Sequence, residues 1–105
     1  MTQTEADFQK QVIQFARMHR WRVAHFRTSM NARGRYLTAV AADGAGFPDL
    51  VLVRLSRIIF AELKSEKGRT SPEQKAWLED LERPGKVEVY LWKPSDWGKI
   101  VELIR

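Results

Sequence analysis

Gly46-Phe47-Pro48-Asp49-Leu50-Val51-Leu52-Val53-Arg54-Leu55-Ser56-Arg57-Ile58-Ile59-Phe60-Ala61-Glu62-Leu63-Lys64-Ser65 is the stretch on which the reading of this chain turns. It holds two runs rich in β-formers, Pro48 to Leu55 and Arg57 to Ser65, joined by a tight connection. If that connection is symmetric, Arg54 faces Arg57, Val51 faces Phe60 and Asp49 faces Glu62. Directly opposed residues of antiparallel strands share a face, with Cβ atoms about 4.5–5.5 Å apart. Strand alternation then puts Lys64 on the face of Glu62. One face would carry Asp49, Glu62 and Lys64 at a polar end and Val51, Val53, Ile58 and Phe60 at an apolar end. A one-residue bulge would break this pairing.

Two carboxylates brought this close raise each other's pKa and cost stability unless a cation lies between them. A hard divalent ion with oxygen ligands, Mg²⁺ or Mn²⁺, is the natural occupant. It lowers the pKa of water and neutralises charge developing on a phosphoryl group. Lys64, on the same face, can hold the attacking water or stabilise that charge. The set describes metal-assisted phosphodiester hydrolysis. The bland alternatives are a Glu-x-Lys on a solvated strand and a Pro-Asp turn. The hairpin that joins the two motifs sets the chemical reading against them.

Outward from the hairpin, Thr4 to His19 reads as a helix, with Phe8, Val12, Phe15 and Ala16 forming an apolar stripe. Thr2 with Glu5, or Thr4 with Asp7, can form its capping box. Trp21 to Arg27 alternates as a strand, and Ser29 to Gly46 has no clear period, as in a long functional or mobile loop. Beyond the hairpin, Ser71-Pro72-Glu73-Gln74 is a helix start with Ser at the N-cap and Pro at the first position. Gln74, Trp77, Leu78 and Leu81 form one stripe of that helix, and Arg83-Pro84-Gly85 ends it. Val87 to Trp92 reads as a strand. Pro94-Ser95-Asp96 opens a last helix, with Trp97, Ile100, Val101 and Ile104 facing the core. The order is αβββαβα: an α/β domain with a small central mixed sheet flanked by helices.

The chain has 105 residues, enough for one domain and one core, so residues 1–105 read as a single unit. No apolar run is long enough to span a membrane, and the N-terminus lacks a signal-peptide pattern. Cysteine is absent, which excludes disulfides, thiolate metal sites and thiol nucleophiles. A cytoplasmic protein, or one in host cytoplasm if phage-encoded, is expected. Lys and Arg number 18 against 13 Asp and Glu, a net charge of +5. Residues 1–40 hold seven basic and two acidic groups, and the remainder cancels, so the whole excess lies there. Six of the seven are Arg, which binds phosphate bidentately and stacks on bases, so nucleic acid is the favoured partner.

Gly46-Phe47-Pro48-Asp49-Leu50 followed by Phe60-Ala61-Glu62-Leu63-Lys64 resembles the PD-(D/E)XK nuclease superfamily, and within it the VRR-NUC branch. That branch has an early helical Glu and a following Gln, a G-x-P-D-L segment, an E-x-K strand and a Q-x-x-W helix. Here they correspond to Glu5 with Gln9 or Gln11, Gly46 to Leu50, Glu62 to Lys64, and Gln74-Lys75-Ala76-Trp77. The resemblance implies a restriction-endonuclease-like core. It makes Asp49 and Glu62 metal ligands, the backbone carbonyl of Leu63 a further ligand and Lys64 the catalytic lysine. It brings Glu5 to the metal from the first helix and Gln74 near the site from the second, with Trp77 anchoring that helix. It further implies action on branched DNA such as Holliday junctions, in DNA repair, by a homodimer that supplies two sites.

Each assignment has a plainer counterpart. Glu5 can serve only the helix dipole. Gln74 completes a capping box whatever else it does. His19 and His25 lack a third ligand nearby in sequence and read as surface or DNA-facing residues. Arg22, Arg27, Arg33 and Arg35 are candidate phosphate contacts from the strand and loop before the site. Three functions compete: a Mg²⁺- or Mn²⁺-dependent structure-selective DNA endonuclease, a non-catalytic DNA-binding module on the same fold, and a subunit whose basic half binds an acidic protein. The last leaves Asp49, Glu62 and Lys64 unexplained.

Overall fold

The computed structural model describes residues 3–26, 29–30, 36–37 and 41–105. Helix α1 (Glu5–Met18) starts at Thr4, whose side chain accepts from the Asp7 N–H at 3.1 Å. Of the two caps the sequence allows, the Thr4 side-chain bond to the Asp7 N–H is present, and Thr2 lies outside the described residues. Glu5 and Asp7 place negative charge in the first turn, where the helix dipole favours it. Phe8, Val12 and Ala16 form the buried stripe. The chain leaves the helix through Arg20, at a φ of 71°.

Four strands make one mixed sheet in the order β1-β4-β5-β6: β1 (Arg22–His25), β4 (Leu50–Arg54), β5 (Arg57–Leu63) and β6 (Glu88–Trp92). The first three run antiparallel, and β6 lies parallel to β5. The β4–β5 pairing has the symmetric register, with Arg54 opposite Arg57 and Val51 opposite Phe60. The turn is Leu55-Ser56, with Leu55 at a φ of 55°, an uncommon place for a side-chain-bearing residue. Its flanks compensate. Arg54 and Arg57 both lie over the Trp21 ring, at 4.4 and 5.0 Å. Arg54 donates to the His19 carbonyl, and Arg57 to the Leu103 carbonyl and both Glu88 oxygens. Two like charges that would repel across a hairpin instead tie the helix C-termini to the sheet.

Two short strands, β2 (Ser29–Met30) and β3 (Tyr36–Leu37), pair antiparallel as a second sheet within the segment expected to be a loop. Strands of two residues offer no alternation to read. Helix α2 (Pro72–Glu82) begins at the Ser71 cap, and α3 (Trp97–Ile104) follows a 3₁₀ turn over Pro94–Asp96. Among the described residues, no helix is long and apolar enough to cross a membrane.

The core lies on one side of the sheet. Leu50, Leu52, Ile59, Ala61 and Leu63 meet Phe8, Val12 and Ala16 of α1 and Ile100 and Ile104 of α3. The opposite face is also apolar but only partly covered. Val53 and Ile58 are 38% and 39% exposed there. The expected apolar end is thus not core: β4 and β5 are apolar on both faces, and the helix stripes fill only one. Helix α2 likewise has no fully buried residue. Its Trp77 packs edge-on against Phe47 (centroids 5.0 Å apart) and donates to the Asp43 carbonyl at 2.9 Å. Trp77 therefore anchors α2 to the segment before β4, not to the core.

Candidate active site

Extending the register by one residue beyond the paired ends puts Asp49 opposite Glu62 and Phe26 opposite Asp49. The Phe26 N–H donates to the Asp49 carbonyl at 2.9 Å, so the β1–β4 ladder does continue to this point. On β6, Leu91 pairs with Glu62. Phe26, Asp49, Glu62 and Leu91 thus form one row across the sheet, at the end of its partly open face.

Asp49 accepts a hydrogen bond from the Leu63 N–H at 3.0 Å. Leu63 engages the site through this amide, a group separate from the carbonyl that the family resemblance makes a metal ligand. Glu62 is 1% exposed. Its Oε2 accepts from Gln74 Nε2 at 3.0 Å and lies 3.7 Å from Lys64 Nζ. Its Oε1 is buried with no hydrogen-bond partner. The Glu62 carboxyl is pushed up to about 8, chiefly by burial and next by the neighbouring Asp49, against the pull of Lys64. Asp49 is also raised, chiefly by burial, with the Leu63 amide, Lys64 and His25 opposing.

Glu5 belongs to the same electrostatic group. Desolvation raises its pKa, Lys64 lowers it, Asp49 raises it, and the Ser65 N–H lowers it. The first turn of α1 therefore faces the end of β5, with Glu5 in electrostatic range of Lys64 and Asp49. Gln11 instead bonds Gln3 at 2.8 Å. Gln74 fills both roles open to it. Its Oε1 accepts from the Ser71 N–H at 2.8 Å to complete the capping box, which leaves Nε2 for Glu62.

The approach of α2 depends on Gly46, at a φ of 85°. A Cβ there would lie 2.6 Å from the Glu73 carbonyl carbon and 2.7 Å from the Gln74 nitrogen. Only glycine lets this backbone pass the first turn of α2. Phe47, next in sequence, packs edge-on against Phe26, Phe60 and Trp77.

His25 lies within electrostatic range of Asp49 and lowers its pKa, so it flanks the site. Its strand position next to Phe26 was a signal, but only the β1–β4 register gives it meaning. His19 is at the other end of the domain, 4.4 Å from the Phe15 ring. Arg22 is exposed on β1, on the face that carries Phe26. Arg27, Arg33 and Arg35 lie outside the described residues.

Two acids, an orphaned buried carboxylate oxygen and a nearby ammonium fit a hard divalent cation that keeps several waters. Among the described residues, no three His, Asp or Glu side chains form a ready-made cage.

The model of the VRR-NUC domain matches residues 9–93. This chain belongs to the VRR-NUC domain family. The family consists generally of nuclease domains, which act on DNA. A solved structure described as a VRR_NUC domain protein superposes with a TM-score of 0.63 at 20% identity, covering 99% of this chain and 87% of that one. At that identity the likeness speaks to the fold alone. No curated protein matches. The family match begins after Glu5 and takes in Asp49, Glu62, Lys64 and Gln74.

Proposed function

We propose that this VRR-NUC protein is a Mg²⁺- or Mn²⁺-dependent endonuclease with a restriction-endonuclease-like core, cutting phosphodiester bonds in branched DNA as a homodimer. The observation that carries the proposal is the buried Asp49–Glu62 pair, with one Glu62 oxygen unpartnered and Lys64 beside the other. A carboxylate buried this deeply with one oxygen left unpartnered costs stability, and a ligand role accounts for the cost.

Asp49 and Glu62 would hold the ion, and Glu5 would reach it from α1. The ion, when bound, supplies Lewis acidity to the phosphoryl oxygens and lowers the pKa of the attacking water. The Leu63 amide fixes the rotamer of Asp49, and Gln74 fixes that of Glu62. Lys64 orients the nucleophile and balances charge gathering at phosphorus. Arg22 would grip the phosphate backbone on the β1 side, and Arg27, Arg33 and Arg35 remain candidate phosphate contacts from the sequence. Two-fold cleavage of a four-way junction needs two such sites, and one chain supplies one.

The test is a cleavage panel: labelled four-way junction, flap, duplex and single strand, each with Mg²⁺, Mn²⁺ or EDTA. The expected result is metal-dependent cleavage concentrated on the branched substrates. DNA binding that fades with salt, without cleavage of any substrate under any metal, would favour a binding module instead.

A further inference from the structure

Among the described residues Phe26 is the most open aromatic side chain, 48% exposed in the row that carries the site carboxylates. Its backbone is pinned by the bond to the Asp49 carbonyl. The ring is braced on one side by Phe47, with centroids 5.5 Å apart at 88°. Phe47 is held in turn by Phe60 and Trp77. An edge-on brace of this kind fixes the ring and leaves the rest of it open. Directly opposed strand residues hold their Cβ atoms about 4.5–5.5 Å apart, so the ring sits one strand spacing from Asp49.

A half-exposed aromatic braced beside a phosphodiester site has a defined use. A paired base is stacked on its neighbours and cannot present its face to a protein ring, whereas an unpaired base can. We propose that Phe26 stacks on an unpaired base next to the scissile phosphate, and so selects DNA that is unpaired there. This rests on the nuclease reading above and deepens it. The preference for branched over continuous duplex DNA then arises at one residue of β1 and does not require recognition of the whole junction shape. Arg22, two residues beyond Ala24 on the same face, is placed to follow the backbone of the same strand. Stacking is indifferent to base identity, so the preference is for structure and not for sequence.

The experiment measures binding by fluorescence anisotropy, with Ca²⁺ in place of Mg²⁺. The probes are a labelled duplex, the same duplex with an unpaired bulge, and the single strand, each with wild type, Phe26→Ala, Phe26→Leu and Phe26→Trp. Phe26→Ala should lose about 5- to 150-fold on the bulged and single-stranded probes and change little on the duplex. Phe26→Leu should resemble Phe26→Ala, because it keeps apolar bulk without a π face, and Phe26→Trp should retain the preference. Equal losses on all probes, no loss on any, or full retention by Phe26→Leu would overturn the proposal. Thermal melts report folding; if Phe26→Ala does not fold, the comparison of Leu with Trp decides. Wild-type protein that shows the binding pattern but cuts nothing with Mg²⁺ or Mn²⁺ would remove the nuclease reading, and with it the scissile phosphate, and leave only the stacking of Phe26 on an unpaired base. Cleavage with an unchanged preference in Phe26→Ala would do the reverse.

Discussion

At the scale of single residues, Glu62 concentrates the cost of the site. Its pKa in the fold, about 8, lies above the 4.5 of an unperturbed glutamate. The folded state therefore binds its proton more tightly than the unfolded state does. The metal-free protein should be most stable with respect to this group below about pH 4.5, and should lose stability as pH rises to about 8. Glu62→Gln removes the titrating group while keeping an acceptor for Gln74. It should raise metal-free stability at pH 8 by about 1–3 kcal/mol and flatten that slope, while abolishing cleavage. Urea melts from pH 4 to 9 check this, and a variant no more stable than wild type at pH 8 would contradict it. Lys64 makes the opposite contribution. Lys64→Ala should cost about 100-fold or more in cleavage and leave DNA binding nearly intact. Cleavage at the wild-type rate would remove Lys64 from the mechanism.

At the scale of elements, α2 is the part of the site held least by burial. Its N-terminus is placed by the Ser71 cap, by the Trp77 bond to Asp43 and by the passage of Gly46. Gly46→Ala should destabilise by about 2 kcal/mol or more and separate Gln74 from Glu62. Gly85 also has a positive φ, 67°, but a Cβ there meets nothing within 4 Å. Gly85→Ala should cost only about 1 kcal/mol and leave cleavage unchanged. Similar losses from both substitutions would show that the close approach at Gly46 is unimportant. The β4–β5 register and the α2 cap were legible in the sequence because each rests on neighbours a few residues apart. The partners of Asp49 on β1 were not, because His25 and Phe26 come to it through a strand pairing between segments about twenty-five positions away in sequence. The two-residue strands β2 and β3 are below the length at which periodicity carries information. The side on which the core would form was equally hidden, because β4 and β5 are apolar on both faces, and only the stripes of α1 and α3 choose between them.

At the scale of the whole molecule, the fold separates stability from chemistry. Trp21, Arg54 and Arg57 tie the ends of α1 and α3 to one end of the sheet, with the Trp21 indole N–H bonded to the Ile104 carbonyl at 2.8 Å. The carboxylate row occupies the other end, where α1 begins and α2 is lightly attached. Basic charge is concentrated in the first two fifths of the sequence, which contribute α1 and β1. Neutralising it piecemeal should show in the salt dependence of binding. Arg22→Ala should weaken DNA affinity and reduce the slope of log affinity against log salt by about 1. An unchanged slope would place the exposed face of β1 off the DNA.

The most direct test of the central claim is calorimetric titration of Mn²⁺ into wild type and Asp49→Asn at pH 7, repeated in buffers of different ionisation enthalpy. Glu62 titrates near 8, so a cation that binds this pair must displace its proton. The account predicts binding by the wild type with the release of up to about one proton per ion, and loss of both in Asp49→Asn. Binding without proton release, or with the same affinity in Asp49→Asn, would show that the buried carboxylates of this VRR-NUC domain are not its metal site.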